Sequence, residues 1–234
     1  AAEGVIAVAT STDNTMGVMV EINCETDFVS KGDDFQAFAA EVAQSALDNQ
    51  TATIEALLAI KLSGGDDVVT TCKNLIAKIG ENMNVRRVQL LQAPTGLVTN
   101  YLHGGRIGVT IAMNGGNEAL ARDVAMHIAA TNPASISADE IAPELIAKER
   151  EIFTAQAQES GKPAEIIEKM IDGRISKYLK EVTLLGQPFV KDPDQTVEKL
   201  LKDAGATVLA FTRFEVGEGI EKKQENFADE VMAQ

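Results

Sequence analysis

A seven-residue pattern recurs 91 positions apart. Gly17-Val-Met-Val-Glu-Ile-Asn23 aligns with Gly108-Val-Thr-Ile-Ala-Met-Asn114, keeping the glycine, the first valine and the asparagine. Gly4-Val5-Ile6 matches Gly96-Leu97-Val98 at an offset of 92, and the stretch around Val42-Ala43 resembles that around Val124-Ala125. One short identity arises by chance, but three matches in the same order predict a duplication. The expected fold class is therefore α+β: two related subdomains with small antiparallel sheets covered by helices.

The first copy sets out the grammar. Val5-Ile-Ala-Val-Ala9 and Val18-Met-Val-Glu-Ile22 flank the polar turn Thr12-Asp13-Asn14, with β-branched residues in both arms, and predict a strand hairpin. From Phe35 the period changes, because Phe35, Phe38, Val42 and Leu47 share one helical face. Val69, Cys72, Ile76 and Ile79 repeat that spacing, and Gly80 supplies a stop. A strand over Val85–Leu91 closes the unit.

The second copy is interrupted. Between Pro143 and Val182, two helical stretches flank Gly161-Lys162-Pro163; the first carries Leu145, Ile152 and Phe153, the second Ile167, Ile171, Ile175, Tyr178 and Val182. Such a pattern predicts an inserted antiparallel helical hairpin, either an interaction arm or an ordinary packed helix pair. Afterwards Asp194 is placed to cap a short helix bearing Val197, Leu200 and Leu201, Gly205 to end it, and Val208–Phe214 to resume the sheet. The domains expected are 1–94, a second core subdomain of 95–142 with 183–213, the hairpin at 143–182, and a C-terminal module at 214–234. In that module Phe227 and Val231 fit a short amphipathic helix or a partly ordered end.

Charge narrows the function. Thirty-five acids against 21 bases give a net charge of −14, which repels phosphate backbones, so direct nucleic-acid binding is not expected. The hairpin is nearly neutral and contributes little to this charge. No GxxxxGK[ST] cradle occurs, and Gly64-Gly-Asp-Asp67 offers carboxylates where a phosphate needs amide donors. Two cysteines, Cys24 and Cys72, and two histidines, His103 and His127, are too few for a disulfide framework or a zinc cluster. Reduced thiols, no metal and no cofactor are expected. The start has no basic leader, and its apolar run Val5–Ala9 is far shorter than the roughly 18 residues of a membrane span, so no membrane association is expected. Ala1 stands where an initiator Met would, leaving room for upstream residues.

Local features admit bland readings. Thr26-Asp27-Phe28-Val29 follows a strand directly, so Thr26 or Asp27 serves as a cap and Phe28 as a core staple in the ordinary case. His103-Gly-Gly-Arg106 sits at the tip of the second hairpin, where His103 reads as a polar loop residue. His127 reads as a satisfied, half-buried helix residue. Cys24 with either histidine makes a nucleophile and base only without any local signature for it.

Seven segments weigh differently when read together. Cys24-Glu-Thr-Asp-Phe-Val-Ser-Lys31, Lys78-Ile-Gly-Glu-Asn82, Val85-Arg-Arg-Val88, His103-Gly-Gly-Arg-Ile-Gly-Val109, Met126-His-Ile-Ala-Ala130, Gly186-Gln-Pro-Phe-Val190 and Arg213-Phe-Glu-Val-Gly-Glu-Gly-Ile-Glu221 resemble, in order and spacing, bacterial translation elongation factor Ts. The likeness covers essentially the whole chain. It departs in two ways: the family normally begins with a small helical domain similar to ubiquitin-associated domains, which this sequence starts after, and it usually has Ala where Ser30 stands.

The resemblance implies guanine nucleotide exchange on elongation factor Tu, in its GDP-bound and nucleotide-free forms, in the cytoplasm and without covalent chemistry. It implies that Asp27 and Phe28 enter the partner's nucleotide domain, Phe28 as a wedge, that Ile79, Gly80 and His103 support this contact, and that Val190 belongs to the contact surface of the C-terminal subdomain. The competing readings are a binding or chaperone-like subunit that leaves GDP release unchanged, and a cysteine-dependent enzyme.

Overall fold

In a computed structural model that describes residues 3–220, the first hairpin pairs β1 (Glu3–Thr10) with β2 (Met16–Cys24), in register from Glu3 opposite Cys24 to Thr10 opposite Gly17. Its turn is fixed locally: the Asp13 carboxylate accepts from the Ser11 hydroxyl at 2.7 Å, the Thr15 hydroxyl at 2.8 Å and the Thr15 amide at 3.1 Å. Helices α1 (Asp27–Ser30), α2 (Asp33–Asp48), α3 (Ile54–Leu58) and α4 (Val68–Ile79) follow, and β3 (Asn84–Gln92) pairs with β2 to complete an antiparallel sheet of order β1-β2-β3.

The strand period then decides the layers. Val18, Val20 and Ile22 alternate onto one face of β2, where they pack with Phe35, Phe38 and Val42 of α2 in a buried core. The second unit repeats this. Strands β4 (Leu97–His103) and β5 (Ile107–Asn114) form a hairpin, and α5 (Glu118–Thr131) covers Val109, Ile111 and Met113 with Ala121, Val124, Ala125 and Ile128. The chain then makes α6 (Pro143–Gln158), α7 (Ala164–Val182), a small ribbon of β6 (Pro188–Phe189) and β7 (Asp192–Thr196), α8 (Val197–Asp203) and finally β8 (Thr207–Glu215). Strand β8 pairs antiparallel with β5, giving the order β4-β5-β8.

The duplication is therefore structural. The two matched segments are the central strands of the two sheets. Even their irregularities correspond, since the register shifts between Glu21 and Ile22 in one sheet and between Ala112 and Met113 in the other, again 91 residues apart. The opposite sheet faces pack on each other: Ile6 and Met19 cluster with Phe214 and Val216, and Ala93 with Val98 and Ala112. The result is helices, sheet, sheet, helices, a four-layer stack whose middle is a sandwich.

One buried carboxylate ties these layers. Glu21, 0% exposed, accepts from Arg87 Nε at 2.6 Å, Arg86 Nη1 at 2.9 Å, the Asn23 side-chain amide at 2.9 Å and the Gly217 backbone amide at 2.8 Å. Arg87 also lies 4.0 Å over the Phe214 ring. The segment just beyond β8 is thus held against β2 and β3 of the other subdomain.

Helices α6 and α7 form the expected antiparallel hairpin, joined by Arg150–Asp172 at 2.9 Å and Arg174–Gln156 at 2.8 Å. Its seam differs from expectation on both helices; on α7 it continues through Leu179 and not through Tyr178 or Val182. Ile146 and Phe153 pack towards Ala157, Ile167, Ile171 and Ile175, whereas Leu145 and Ile152 face solvent. A second correction concerns α8. The cap is Thr196, whose hydroxyl accepts from the Lys199 amide at 3.2 Å, because the helix starts at Val197; Asp194 lies two residues too early, inside β7. The amphipathic tail reading, with Phe227 and Val231, falls outside the described residues.

Candidate partner-binding surface

The first matched segment leaves β2 through Thr26, which has extended backbone and caps α1: its hydroxyl accepts from the Val29 amide at 3.3 Å. A single turn then sorts the side chains. Val29 and Ser30 are buried, the Ser30 hydroxyl donating to the Asp27 carbonyl at 2.9 Å, while Asp27 points outward and pairs with Lys31 at 3.3 Å. Phe28 is 85% exposed. It is no core staple, and Thr26 rather than Asp27 is the cap.

Across from it, α4 ends at Ile79, whose partly buried side chain packs on the first core. Gly80 follows with φ of 84° and donates its amide to the Ile76 carbonyl at 2.8 Å. Only glycine adopts that left-handed stop without strain. Nothing lies within 4 Å of where a Gly80 side chain would begin, so the position is open outward.

Glu81 joins the two segments. Its carboxylate accepts from the Thr26 hydroxyl at 2.6 Å, the Thr26 amide at 3.2 Å and the Glu25 amide at 3.3 Å. Asp27 and Phe28 are thereby linked to Ile79 and Gly80 over more than fifty residues of sequence. Glu81 lies within the segment Lys78–Asn82, yet its role is not legible there, because its partners are remote in sequence.

The tip of the β4–β5 hairpin reaches the same side. The Ile6 amide donates to the Gly105 carbonyl at 2.9 Å, and Arg106 pairs with Glu3 at 2.6 Å. A cleft of about 370 Å³ lies between Asp27, Ser30 and Lys31 on one side and Leu102, Gly104, Gly105 and Arg106 on the other. His103 is exposed at the end of β4, its Nδ1 3.3 Å from the Tyr101 hydroxyl. It is thus the last strand residue rather than a loop residue, and its side chain lies with Tyr101, on the strand face opposite to Leu102, which lines the cleft.

Val190 occupies a different surface, on the second subdomain. Its side chain is 44% exposed, and its amide donates to His127 Nδ1 at 3.1 Å. His127 is fully buried rather than half-buried, with Nε2 2.9 Å from Gln187 Oε1. Since Nδ1 accepts, Nε2 carries the proton and donates to Gln187. Burial lowers its pKa, and the Gln187 bond only partly opposes that. Gln187 is held in turn by the Thr131 hydroxyl and by its own bond to the Glu181 carbonyl, each at 2.9 Å.

The cysteines are structural: the Cys24 thiol donates to the Thr26 carbonyl at 3.2 Å. Cys24 is fully buried, and burial, reinforced by the Glu81 charge, pushes its thiol up to about 11. A thiolate nucleophile is disfavoured at neutral pH. Burial raises the Cys72 thiol as well. Among the described residues, no helix is long and apolar enough to cross a membrane.

Residues 25–218 match the family model described as Elongation factor TS. Elongation factor Ts of Hydrogenovibrio crunogenus is 59% identical over 233 residues, spanning all of this chain and 79% of the relative. Those of Alkalilimnicola ehrlichii and Methylococcus capsulatus are 58% and 56% identical over 234 residues, spanning all of this chain and 80% of each relative. The alignments with these relatives span both sheets, the helical hairpin and the surface built around Phe28, and the family model covers all of these but β1 and β2; the chain belongs to the elongation factor Ts family.

Proposed function

We propose that the chain promotes GDP release from elongation factor Tu by presenting Phe28 as an apolar wedge. The function is that of a guanine nucleotide exchange factor, and the observation that carries the wedge is the 85% exposure of Phe28 on a one-turn helix. Exposing a large aromatic gains nothing in the free protein. Fully burying a Phe side chain is worth about 1.5–3 kcal/mol, or roughly ten- to 150-fold in affinity.

Exchange follows by linkage. If that energy is gained only on the nucleotide-free partner, GDP binding must weaken by the same factor. No bond in this chain is made or broken. Asp27 flanks the wedge, Ile79 and Gly80 give it a close and open neighbour, and His103 stands exposed at the hairpin tip, between Leu102 and Gly104 of the adjoining cleft; these residues form one partner-binding surface. Val190, on the second subdomain, forms another. The partner is met in its GDP-bound form and left nucleotide-free, in the cytoplasm, without direct nucleic-acid contact.

Release of fluorescently labelled GDP from elongation factor Tu, followed with and without this chain, tests the reading. Acceleration that saturates with chain concentration supports it. Binding without acceleration would instead identify a chaperone-like subunit.

A further inference from the structure

Helix α1 is a single turn, too short to be stable on its own helical hydrogen bonding. Its inward anchors are Val29 and Ser30, and Phe28 has no packing of its own to hold it in place. A wedge of this kind works only if its backbone is fixed before the partner arrives, since ordering it on binding would consume part of the affinity gained. Something outside α1 must therefore hold residues 25–28.

Glu81 meets that need. The Thr26 hydroxyl has one proton, which goes to Glu81 Oε1 at 2.6 Å, leaving a lone pair to accept the Val29 amide at 3.3 Å. The cap of α1 is thus oriented by a carboxylate from beyond the end of α4. The other oxygen of Glu81 takes the Thr26 and Glu25 amides at 3.2 and 3.3 Å. Glu81 itself follows Gly80, whose left-handed backbone turns the chain back towards α1.

We infer that Glu81 is a positioning residue for exchange: it clamps the segment bearing Asp27 and Phe28 to the segment bearing Ile79 and Gly80, so that both reach the partner as one preformed surface. The inference rests on the wedge reading above. Its effect is transmitted through Phe28 and not by contact with the partner.

The test is a cycle of Glu81→Ala, Phe28→Ala and the double variant, read as stimulated GDP release from elongation factor Tu. Removing Glu81 should slow release roughly tenfold, the scale of losing hydrogen bonds to a charged group. In the Phe28→Ala background the same change should cost less than twofold. Glu81→Gln, which keeps one acceptor oxygen, should recover part of the loss. Hydrogen exchange should show the Glu25 and Thr26 amides losing protection in Glu81→Ala while those of β2 keep theirs. Unchanged release with Glu81→Ala, losses that multiply in the double variant, or retained protection of both amides would each overturn the inference. Should Glu81→Ala not fold, the cycle is run with Glu81→Gln and an intermediate loss is expected. A wild-type chain that fails to accelerate release defeats the wedge reading itself, whereas an active wild type matched by an equally active Glu81→Ala defeats only the clamp.

Discussion

Gly17 and Gly108 touch opposite sheets in the same way. A methyl added to Gly17 would lie 2.7 Å from Val98 Cγ1 and 3.2 Å from Thr110 Cγ2; one added to Gly108 would lie 2.6 Å from Ile6 Cγ2 and 2.9 Å from Met19 Sδ. Val98 and Thr110 are the repeat counterparts of Ile6 and Met19. The contact is thus reciprocal, residue for residue, as in an interface between two identical subunits. A glycine is retained in each copy because the facing sheet leaves no room for a side chain.

Gly108→Ala should accordingly destabilise by about 1–3 kcal/mol through overpacking. At roughly 2–4 °C per kcal/mol for a chain of this size, the melting temperature should fall by about 2–12 °C. Gly173 makes the contrast. It sits exposed inside α7 with nothing within 4 Å of an added Cβ, so Gly173→Ala should stabilise by about 0.5–1 kcal/mol. Calorimetric melts of both variants check the pair, and equal shifts in one direction would contradict it.

Phe28→Ala should leave the melt within about 1 °C of wild type, because a side chain 85% exposed carries almost no packing. Stimulated GDP release should nevertheless fall about tenfold or more, corresponding to ~1.4 kcal/mol. Measuring both on one preparation separates interface from fold. A strongly lowered melt with normal exchange would sink the wedge.

The sequence made the repeat, the helix faces of α2 and α4 and the inserted hairpin legible, because each is a local pattern with its own period. The sandwich between the sheets was less so: Met19 and Thr110 read simply as strand residues, and nothing local says which surface covers the second face. Phe28 shows the limit most sharply. An aromatic after a strand end is ordinarily buried, and its outward aim is set by the one-residue step from buried Val29. The carboxylates were missed for a related reason. Glu21 and Glu81 find partners on strands or turns more than fifty residues away, a distance no motif spans.

Glu21 gives a pH dependence with a defined sign. Burial raises its pKa, but the Gly217 amide, the Asn23 side chain and the Arg87 guanidinium outweigh that and hold it below the ordinary 4.5. A depressed folded pKa means stability that is fully present above the unfolded value and lost as pH falls through the folded one. Glu21→Gln should therefore cost about 3 kcal/mol at pH 7, where it leaves Arg86 and Arg87 without their buried counter-charge. Both guanidiniums are partly solvated, which places this at the lower end of that range. The wild-type and variant melting curves should converge as pH drops below about 4. A gap that stays constant down to pH 3 would show that the carboxylate's charge is not what stabilises the clasp.

Replacing residues 143–182 by a short Gly/Ser linker should leave a cooperative melt, because the two ends of the insertion already meet in the main body. Ser135 forms a parallel bridge with Thr183, the Leu184 amide donates to the Ser135 carbonyl at 2.8 Å, and the Leu185 amide to the Ile136 carbonyl at 3.1 Å. All three contacts lie outside the deleted stretch. The bonds removed with it are those at its two roots: the Ala134 amide to the Val182 carbonyl at 2.7 Å, the Gln187 side-chain amide to the Glu181 carbonyl at 2.9 Å, the Thr183 hydroxyl to the Leu179 carbonyl at 2.7 Å, and the Leu145 and Ile146 amides to the Ala142 carbonyl at 3.0 and 3.3 Å. The hairpin's buried residues, Ala157, Ile171 and Ile175, form a cluster of their own, separate from the two subdomain cores. Its loss therefore removes a self-contained apolar seam without opening either core. The expected product is monodisperse on gel filtration, with a single calorimetric transition. An aggregated product or a broad, non-cooperative melt would instead make the hairpin part of the second subdomain's own folding unit.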